Sequence, residues 1–258
     1  MPDFRVHSIP PETAPTTLQL TPDESHHLIV VNRARRGAPV IAFDGRGTEW
    51  ICELTTDAKN AAVLTVRDTH RAPPLSHAIT LAQALPKGPG FDDIIRKATE
   101  IGAARVVPIV SERTQVHLDG DRQDKKIEKW RTAALEAAKQ CGNPWLPEIA
   151  PLQSLNAFFA SHYGARSTSN SGYDLKLIAS LHPGAKPLKT LFAETAAALG
   201  HAPRRVLWLI GPEGDFTPAE VETALRSGFA PATLGTLVLR CETAATYALS
   251  VTAHELSL

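Results

Sequence analysis

The sequence predicts an α/β protein with a small N-terminal β-barrel and a larger C-terminal domain of alternating strands and helices. Two patterns carry this prediction. The first seventy or so residues read as short apolar strands separated by turn signals. After a proline-rich stretch at residues 71–77, strand-like and helix-like patterns alternate, which is typical of a mostly parallel sheet. We therefore place the barrel at residues 1–72 and the α/β domain at residues 73–258.

The N-terminal part contains one predicted helix among its strands. The predicted strands are DFRVH, TLQL, PVIAFD, EWICEL and AVLTVRD. The helix follows TLQL: Thr21 is a favourable N-cap, Pro22 fits the first helical position, and Glu24 completes the pattern of a capping box.

The C-terminal part is predicted from strands that end in loops and helices that end at glycines. Its strands are AITLAQAL, RVVPIV, LKLIAS and RVLWLI, and the last two are apolar enough to be covered on both faces. Its helices are FDDIIRKATEIG, RQDKKIEKWRTAALEAAKQCG, a segment opened by a capping box at Thr217 and Glu220, and ETAATYALSVTAHEL.

Composition narrows the class of protein. No apolar run approaches the roughly 20 residues that span a bilayer, and the N-terminus lacks the apolar region of a secretory signal, so we expect a cytoplasmic protein without a membrane partner. The 3 cysteines are scattered and the 10 histidines dispersed, so we expect no metal site. The 27 basic residues equal the 27 acidic ones, so nucleic-acid binding requires local clustering of positive charge. Sequence motifs of kinases, P-loop proteins and dinucleotide-binding dehydrogenases are absent.

The turn Gly211-Pro212-Glu213-Gly214 follows directly after a predicted buried strand. Ligands of open α/β sheets bind beyond the carboxyl ends of the strands. A glycine lacks the Cβ that would hold a ligand away, so main-chain groups there can read an adenine or a ribose. The alternative is a tight strand-to-helix connection without a ligand, and this stretch alone supports the two equally.

Two further turns strengthen the prediction of a pocket. Leu234-Gly235 follows another short strand, and the turn at residues 181–184 follows LKLIAS. Three such loops at one edge of a sheet suggest a common pocket. Arg240 and Glu242 flank the start of the last helix, although Glu242 is also explained as a helix-starting carboxylate and Arg240 as a surface charge.

Several of these segments together resemble one family. LIGPEGDFTPAEV and LGTLVLRCETA look like the signature loops of the ribosomal RNA small subunit methyltransferase E family, the uridine-N3 methyltransferases of 16S rRNA in the knotted SPOUT class. HHLIVVNRARRG, LPKGPGFDDIIRKATEIGAARVVPIVSERT and KWRTAALEAAKQCGNPWLPEI resemble other parts of the same family. The resemblance therefore extends over nearly the whole chain.

The resemblance implies a fold, a cofactor and partners. The fold is a PUA-like β-barrel followed by a SPOUT α/β domain with a deep trefoil knot. The cofactor is S-adenosyl-L-methionine, held in the knot near the interface of a homodimer. The polynucleotide partner is 16S rRNA or the small ribosomal subunit. An apolar stripe on the last helix (Ala245, Leu249, Thr252 and Leu256) agrees with a dimer.

The resemblance also assigns residues to the cofactor pocket and to catalysis. The expected cofactor-binding residues are Leu181, His182, Ile210, Gly211, Pro212, Glu213, Gly214, Leu234, Gly235, Leu239, Arg240, Glu242, Thr243 and Ala244. Arg240 is the expected cation that stabilises the developing uracil anion. Glu213 or Glu242 is the expected acceptor of the N3 proton, and the choice between them stays open.

Candidate RNA-binding residues are the basic positions of the family-like motifs: Arg5, Arg33, Arg35, Arg36, Lys87, Arg96, Lys97 and Arg113. Four more cations, Arg122, Lys125, Lys126 and Lys129, share one face of a predicted helix, and a solvated helix face explains them better. Trp130 and Trp145 are candidates for stacking on bases, although helical spacing favours a core position for Trp130.

The sequence departs from the family pattern at three places. Asp215 stands where a second glycine is usual, residues 236–238 (Thr-Leu-Val) replace a more usual Pro-Arg-Ile or Pro-Arg-Val, and Cys241 replaces a threonine. Two other functions remain open: a ribose 2′-O methylation by the same class of enzyme, and a non-catalytic RNA-binding assembly factor.

Overall fold

The structure, a computed structural model, describes residues 4–11, 14–115, 120–163, 172–181 and 184–257. The chain forms two structural units. The N-terminal unit comprises residues 1–74 together with 135–146, and the C-terminal unit comprises residues 75–134 and 147–258.

The N-terminal unit is built on a five-stranded sheet, as the strand pattern predicts. The strands are β1 (Phe4–His7), β2 (Thr17–Gln19), β3 (Pro39–Phe43), β4 (Thr48–Thr56) and β5 (Val63–Arg71). Their order is β1-β3-β4-β5-β2, with β1 parallel to β3 and every other pair antiparallel. A helix, α1 (Pro22–His26), continues into a π-helical turn at His27–Val31.

The predicted capping box at α1 is wrong in one half. Thr21 caps the helix by accepting a hydrogen bond from the Glu24 amide. The Glu24 carboxylate instead accepts hydrogen bonds from the His7 amide, at 3.1 Å, and from the Lys139 ammonium, at 2.6 Å. The Lys139 side chain is only 7% exposed. A buried ammonium without a counter-ion costs more free energy than an uncapped backbone amide at a helix end, so the Glu24 carboxylate pairs with Lys139.

Residues 143–146 pack on the turn between β3 and β4. Trp145 lies against Gly47, whose backbone leaves no room for a Cβ, and the Arg71 guanidinium lies 5.4 Å from its ring centre. The Trp145 ring therefore packs against residues of the N-terminal unit, which argues against its suggested stacking on bases.

The C-terminal unit contains a parallel sheet. Its strands are β6 (Ala78–Ala84), β7 (Arg105–Val110), β8 (Glu148–Ile149), β9 (Gln153–Ser154), β10 (Leu175–Ala179), β11 (Lys186–Pro187), β12 (Arg205–Ile210) and β13 (Ala230–Thr233). The order is β11-β13-β10-β12-β6-β7-β8, and β9 also pairs with β7. Along β12, Val206 and Trp208 belong to one apolar core while Leu207 and Leu209 belong to another, so both faces of the sheet are covered.

Helices cover the two faces of this sheet. They are α2 (Gly90–Ile101), α3 (Gly120–Cys141), α4 (Leu155–Tyr163), α5 (Leu188–Leu199), α6 (Pro218–Arg226) and α7 (Cys241–Ser257). Residues of α2, α5 and α7 share one core, and residues of α4 and α6 share the other. Trp130 of α3 is 1% exposed and packs on Phe91, so its predicted core position is confirmed.

The apolar stripe of α7 faces the interior of its own chain. Ala245, Leu249 and Thr252 are each at most 1% exposed, and Leu256 packs against the same core. The Trp208 indole donates a buried hydrogen bond of 2.8 Å to the Thr252 hydroxyl. The interpretation of this stripe as support for a dimer was therefore wrong, because these side chains are buried in the core of their own chain and are not available to a second chain.

No helix among the described residues is long and apolar enough to cross a membrane. The described residues also contain no cluster of three or more histidine, cysteine or acidic side chains able to hold a metal ion.

Candidate functional site

Three loops at the carboxyl ends of neighbouring strands enclose one cavity. They follow β10, β12 and β13, and β10 lies between the other two strands in the sheet. The lining residues are Ala179, Ser180, Leu181, Ile210, Gly211, Pro212, Glu213, Asp215, Leu234, Gly235, Leu237, Val238, Leu239 and Ala244. The predicted convergence of three loops is thus confirmed, at the edge where α/β sheets bind ligands.

The loop after β12 is a tight turn that ends in a well-capped helix. The Asp215 amide donates to the Pro212 carbonyl at 2.9 Å, and Asp215 takes a left-handed conformation with φ of 57°. Thr217 and Glu220 then form a complete capping box at the start of α6, as the sequence predicts. The turn is therefore fixed at both ends.

The close packing of the loop explains why position 211 is a glycine, which the sequence alone did not indicate. A Cβ at this position would lie 3.1 Å from Asp215 Oδ1 and 3.3 Å from Asp215 Cα, with Phe216 at 3.4 Å. The space is filled by the far side of the same loop, so glycine permits the turn that shapes the cavity. The expectation that the missing side chain lets a ligand approach the main chain at Gly211 stays a prediction.

Strand β6 and the loops after β6 and β7 form hydrogen bonds with this turn. Gln83 donates from its side-chain amide to the Gly211 carbonyl at 3.3 Å, and the Arg113 guanidinium donates to the Gly214 carbonyl at 2.6 Å. The Glu213 carboxylate accepts a hydrogen bond of 2.8 Å from the Lys87 amide. Strand β6 and the loops after β6 and β7 therefore support the wall of the cavity.

The loop after β13 contributes the opposite wall. Gly235 has φ of 119°, a conformation that favours glycine, and its amide donates to the Thr233 hydroxyl at 3.2 Å. Leu237 and Val238 follow, with 75% and 80% of their surface exposed. They give the cavity an apolar and accessible rim.

The start of α7 brings two predicted catalytic carboxylates near one thiol. The Cys241 thiol donates a hydrogen bond of 3.3 Å to Glu242. Burial, this hydrogen bond and the negative charges of Glu213 and Glu242 raise the pKa of the Cys241 thiol to about 12. The thiol therefore stays protonated near neutral pH and acts as a hydrogen-bond donor rather than as a nucleophile.

The structure brings most of the predicted cofactor residues together. Nine line the cavity: Leu181, Ile210, Gly211, Pro212, Glu213, Leu234, Gly235, Leu239 and Ala244. Four do not, namely Gly214, Arg240, Glu242 and Thr243, and His182 lies outside the described residues. Gly214 faces a neighbouring groove that also contains Lys87 and Arg113.

Five lining residues are not among the fourteen expected cofactor-binding residues given above: Ala179, Ser180, Asp215, Leu237 and Val238. Sequence signals existed for three of them. Asp215 occupies a glycine-like position in the turn, and Leu237 with Val238 forms an apolar pair in an otherwise polar loop. Ala179 and Ser180 carried no signal beyond their place at a strand end.

The predicted RNA-binding cations fall into different settings. Arg33, Arg35 and Arg36 are exposed on the N-terminal unit, and Arg33 has φ of 58°. Arg5 instead pairs with Glu49 at 2.6 Å and lies over the Phe43 ring.

In the C-terminal unit, Lys87, Arg96, Lys97 and Arg113 are all exposed. Arg96 and Lys97 form helix-surface pairs with Asp93 and Glu100 at 3.3 and 3.0 Å. Such solvent-exposed pairs are weak and can exchange for phosphate contacts. Lys129, on the helix face that we interpreted as solvated, pairs with Asp92.

The cavity suits a nucleoside with a positively charged sulfur. Leucine, isoleucine and valine side chains provide apolar walls, the glycine-containing turns expose main-chain polar groups, and the charged lining residues are acidic.

Comparisons with known proteins agree with this fit. Residues 73–253 match the model of an RNA methyltransferase domain, and residues 20–67 match an RNA methyltransferase PUA domain. A ribosomal RNA small subunit methyltransferase E from Synechocystis sp. is 31% identical over 96% of this chain and 76% of its own length.

Two solved structures are similar along almost the whole chain. A protein of Legionella pneumophila in complex with the cofactor SAM superposes with a TM-score of 0.85 and 29% identity, covering 99% of this chain and 98% of that one. A ribosomal RNA small subunit methyltransferase E from Neisseria gonorrhoeae, bound to S-adenosyl methionine, gives a TM-score of 0.81 and 28% identity, covering 98% and 96%. With an N-terminal PUA domain, a methyltransferase domain and these relatives, the chain belongs to the ribosomal RNA small subunit methyltransferase E family.

Proposed function

We propose that this protein is an S-adenosyl-L-methionine-dependent methyltransferase that methylates N3 of a uridine in 16S rRNA. The observation that carries the proposal is the single cavity formed by the loops after β10, β12 and β13, in a chain of this family. Similar proteins have been solved with the cofactor bound. Because the proposed substrate is ribosomal RNA, we place the activity in the cytoplasm, which cell fractionation with an antibody would check.

The cofactor would supply a methyl group on a sulfonium, and this chain would supply position and charge. Leu181, Ile210 and Leu239 would enclose the adenine, while the main chain at Gly211 and Gly235 would read its polar edges. Such binding orients the donor for an in-line displacement, where positioning provides much of the rate enhancement.

The remaining task of the protein is to handle the proton and the negative charge of the uracil. Arg240 is exposed at the start of α7 and has no ion pair among the described residues, so it is free to stabilise the developing anion. Glu213 or Glu242 would accept the N3 proton; each already accepts one hydrogen bond, Glu213 from the Lys87 amide and Glu242 from the Cys241 thiol, and each keeps a second carboxylate oxygen for this role. The rate should rise with pH until the N3 proton of the uracil is lost.

RNA docking is assigned to both parts of the chain. Residues 1–72 would form the RNA-binding barrel, with contacts from Arg33, Arg35 and Arg36. Residues 73–258 would form the catalytic domain, with phosphate contacts from Lys87, Arg96, Lys97 and Arg113. We leave Arg5 out of this surface because Glu49 already neutralises it.

We also propose that the protein is a homodimer whose C-terminal chain forms a deep trefoil knot. The support is the family membership. Light scattering should give about twice the 27.8 kDa chain mass, and a fully active monomer at micromolar concentration would disprove the dimer. Tracing residues 205–257 in an experimentally determined structure would test the knot.

The decisive experiment is nucleoside mass spectrometry of small-subunit rRNA from cells that lack the gene. We expect loss of 3-methyluridine, restored by the wild type but not by Arg240→Ala. Arg240→Ala should lower kcat by about 10²-fold with little change in cofactor affinity. Unchanged 3-methyluridine beside a missing ribose-methylated nucleoside would assign the protein to 2′-O methylation, and a wild type that binds no cofactor would indicate a non-catalytic RNA-binding factor.

A further inference from the structure

The charged side chains that line the cavity are all of one sign. Among the described lining residues, Glu213 and Asp215 are acidic and none is lysine or arginine. Such a cavity attracts a ligand with net positive charge more strongly than a neutral one of the same shape. This holds whichever way the nucleoside lies.

Asp215 is the carboxylate that the loop holds at the cavity. Its left-handed backbone, with φ of 57°, is one that aspartate tolerates better than most side chains. Its Oδ1 accepts a hydrogen bond of 2.8 Å from the Phe216 amide, which fixes the side chain. A bare Gly211 opposite leaves the space that this arrangement requires.

The two lining carboxylates are not equivalent. Glu213 has an oxygen committed to the Lys87 amide in the neighbouring loop. Asp215 Oδ2 makes no hydrogen bond or ion pair with any of the described residues, so one oxygen of this carboxylate is available to a ligand. Its position is fixed by a main-chain contact and not by a cation that would cancel its charge.

We propose that Asp215 selects the charged methyl donor over the spent product. This inference rests on the proposed function. Methyl transfer breaks the sulfur–carbon bond and forms a nitrogen–carbon bond, while the N3 proton leaves to a base. S-adenosylmethionine carries a net charge of about +1 near neutral pH, whereas S-adenosylhomocysteine has lost the sulfonium and is neutral overall. The Asp215 carboxylate therefore favours the donor and promotes release of the product.

Calorimetry with three ligands tests the proposal on the whole protein. S-adenosylmethionine and sinefungin, which has a protonated amine in place of the methylsulfonium, carry the extra positive charge, and S-adenosylhomocysteine does not. In Asp215→Asn, which keeps the acceptor for the Phe216 amide, affinity for the two cationic ligands should fall about fivefold. Affinity for S-adenosylhomocysteine should change less than twofold.

Two further variants separate charge from loop structure. Asp215→Gly relaxes the left-handed backbone and should give the same loss of charge preference. Glu148→Gln is the control. Glu148 is an exposed carboxylate of β8 that pairs with Arg105 of β7, at the end of the strands opposite the cavity. Its replacement should change none of the three affinities. Thermal melts check that every variant is folded. In the wild type, raising the salt concentration should shrink the preference for the cationic ligands.

The outcomes distinguish the inference from the proposed function. A wild type that binds neither S-adenosylmethionine nor S-adenosylhomocysteine contradicts the proposed function itself. A wild type that binds both, with an unchanged ratio of affinities in Asp215→Asn and Asp215→Gly, overturns the role of Asp215. An equal loss of all three ligands also overturns it, because it would show that Asp215 only shapes the loop.

Discussion

At the scale of single residues, the walls of the cavity depend on two pairs of neighbouring residues, in each of which a small or uncharged residue lies beside a carboxylate. Gly211 and Asp215 face each other across one turn, and a Cβ on the glycine would approach the aspartate more closely than ordinary van der Waals contact allows. In the second pair, the protonated Cys241 thiol donates a hydrogen bond to the Glu242 carboxylate. Each pair places a small or neutral group beside a carboxylate, and neither Asp215 nor Glu242 forms an ion pair with the described residues.

Gly211→Val should abolish cofactor binding while the protein stays folded. The added side chain displaces Asp215 and Phe216 and so distorts the wall of the cavity, at a cost of about 1–3 kcal/mol for overpacking. Calorimetry should detect no binding of S-adenosylmethionine to this variant, and a thermal melt should show that it is folded. Gly120→Val is the matched control, because nothing lies within 4 Å of a Cβ there and its φ is not left-handed. Wild-type affinity in Gly211→Val would refute the assigned cavity.

At the scale of elements, the helices that flank the cavity are fastened by polar contacts as well as by apolar packing. The Glu220 carboxylate, besides capping α6, accepts a hydrogen bond of 2.8 Å from the Glu112 amide in the loop after β7. The buried Trp208–Thr252 hydrogen bond joins β12 to α7. The strand that leads into the turn at Gly211 is thereby linked to the helix whose first turns border the same cavity.

Thr252→Val should destabilise the protein by about 1–3 kcal/mol, because it leaves the buried Trp208 indole nitrogen without an acceptor. The change in shape is minimal, so packing contributes little. Urea denaturation followed by tryptophan fluorescence measures the effect. Thr132→Val on the exposed face of α3 is the control and should shift the unfolding free energy by less than about 0.5 kcal/mol. Equal stabilities of the two variants would contradict a structural role for the Trp208–Thr252 bond.

At the scale of the whole molecule, equal numbers of positive and negative residues conceal an uneven distribution. The 27 basic and 27 acidic side chains cancel in number. Arg33, Arg35 and Arg36, however, are exposed together around the buried Ala34, and none of the three has an ion pair among the described residues. A local cluster of this kind can bind phosphates although the net charge is zero.

Replacing both Arg33 and Arg35 by glutamate should weaken RNA binding and flatten its dependence on salt. Fewer counterions are released from the RNA when fewer phosphates are contacted, so the slope of log K against log salt should fall by about 0.7–0.9 for each lost contact. Filter binding across a salt series measures both quantities. Reversal of Lys189 and Arg226, exposed on α5 and α6, changes the net charge equally and serves as the control. Cofactor affinity should be unaffected, and an unchanged salt slope would remove these arginines from the docking surface.

Much of the fold could be predicted from local patterns. Strand β12 alternates between two cores because successive side chains point to opposite faces, and its apolar run indicated this directly. The capping box at Thr217 and Glu220 depends on residues three positions apart and formed as expected. At α1 the same local rule failed, because Lys139 lies 115 positions from Glu24 in sequence and yet captures its carboxylate.

The sequence by itself determined the α/β class, the glycine turns at the ends of three strands and the membership of the family. Only the tertiary structure decided which side chains share the cavity. Asp215, Leu237 and Val238 line it, whereas Arg240 and Glu242 lie outside its lining, and the stripe of α7 turns inward. The reason is physical: periodicity, caps and turns depend on residues a few positions apart. The meeting of loops after β10, β12 and β13 depends instead on the order in which distant strands pair.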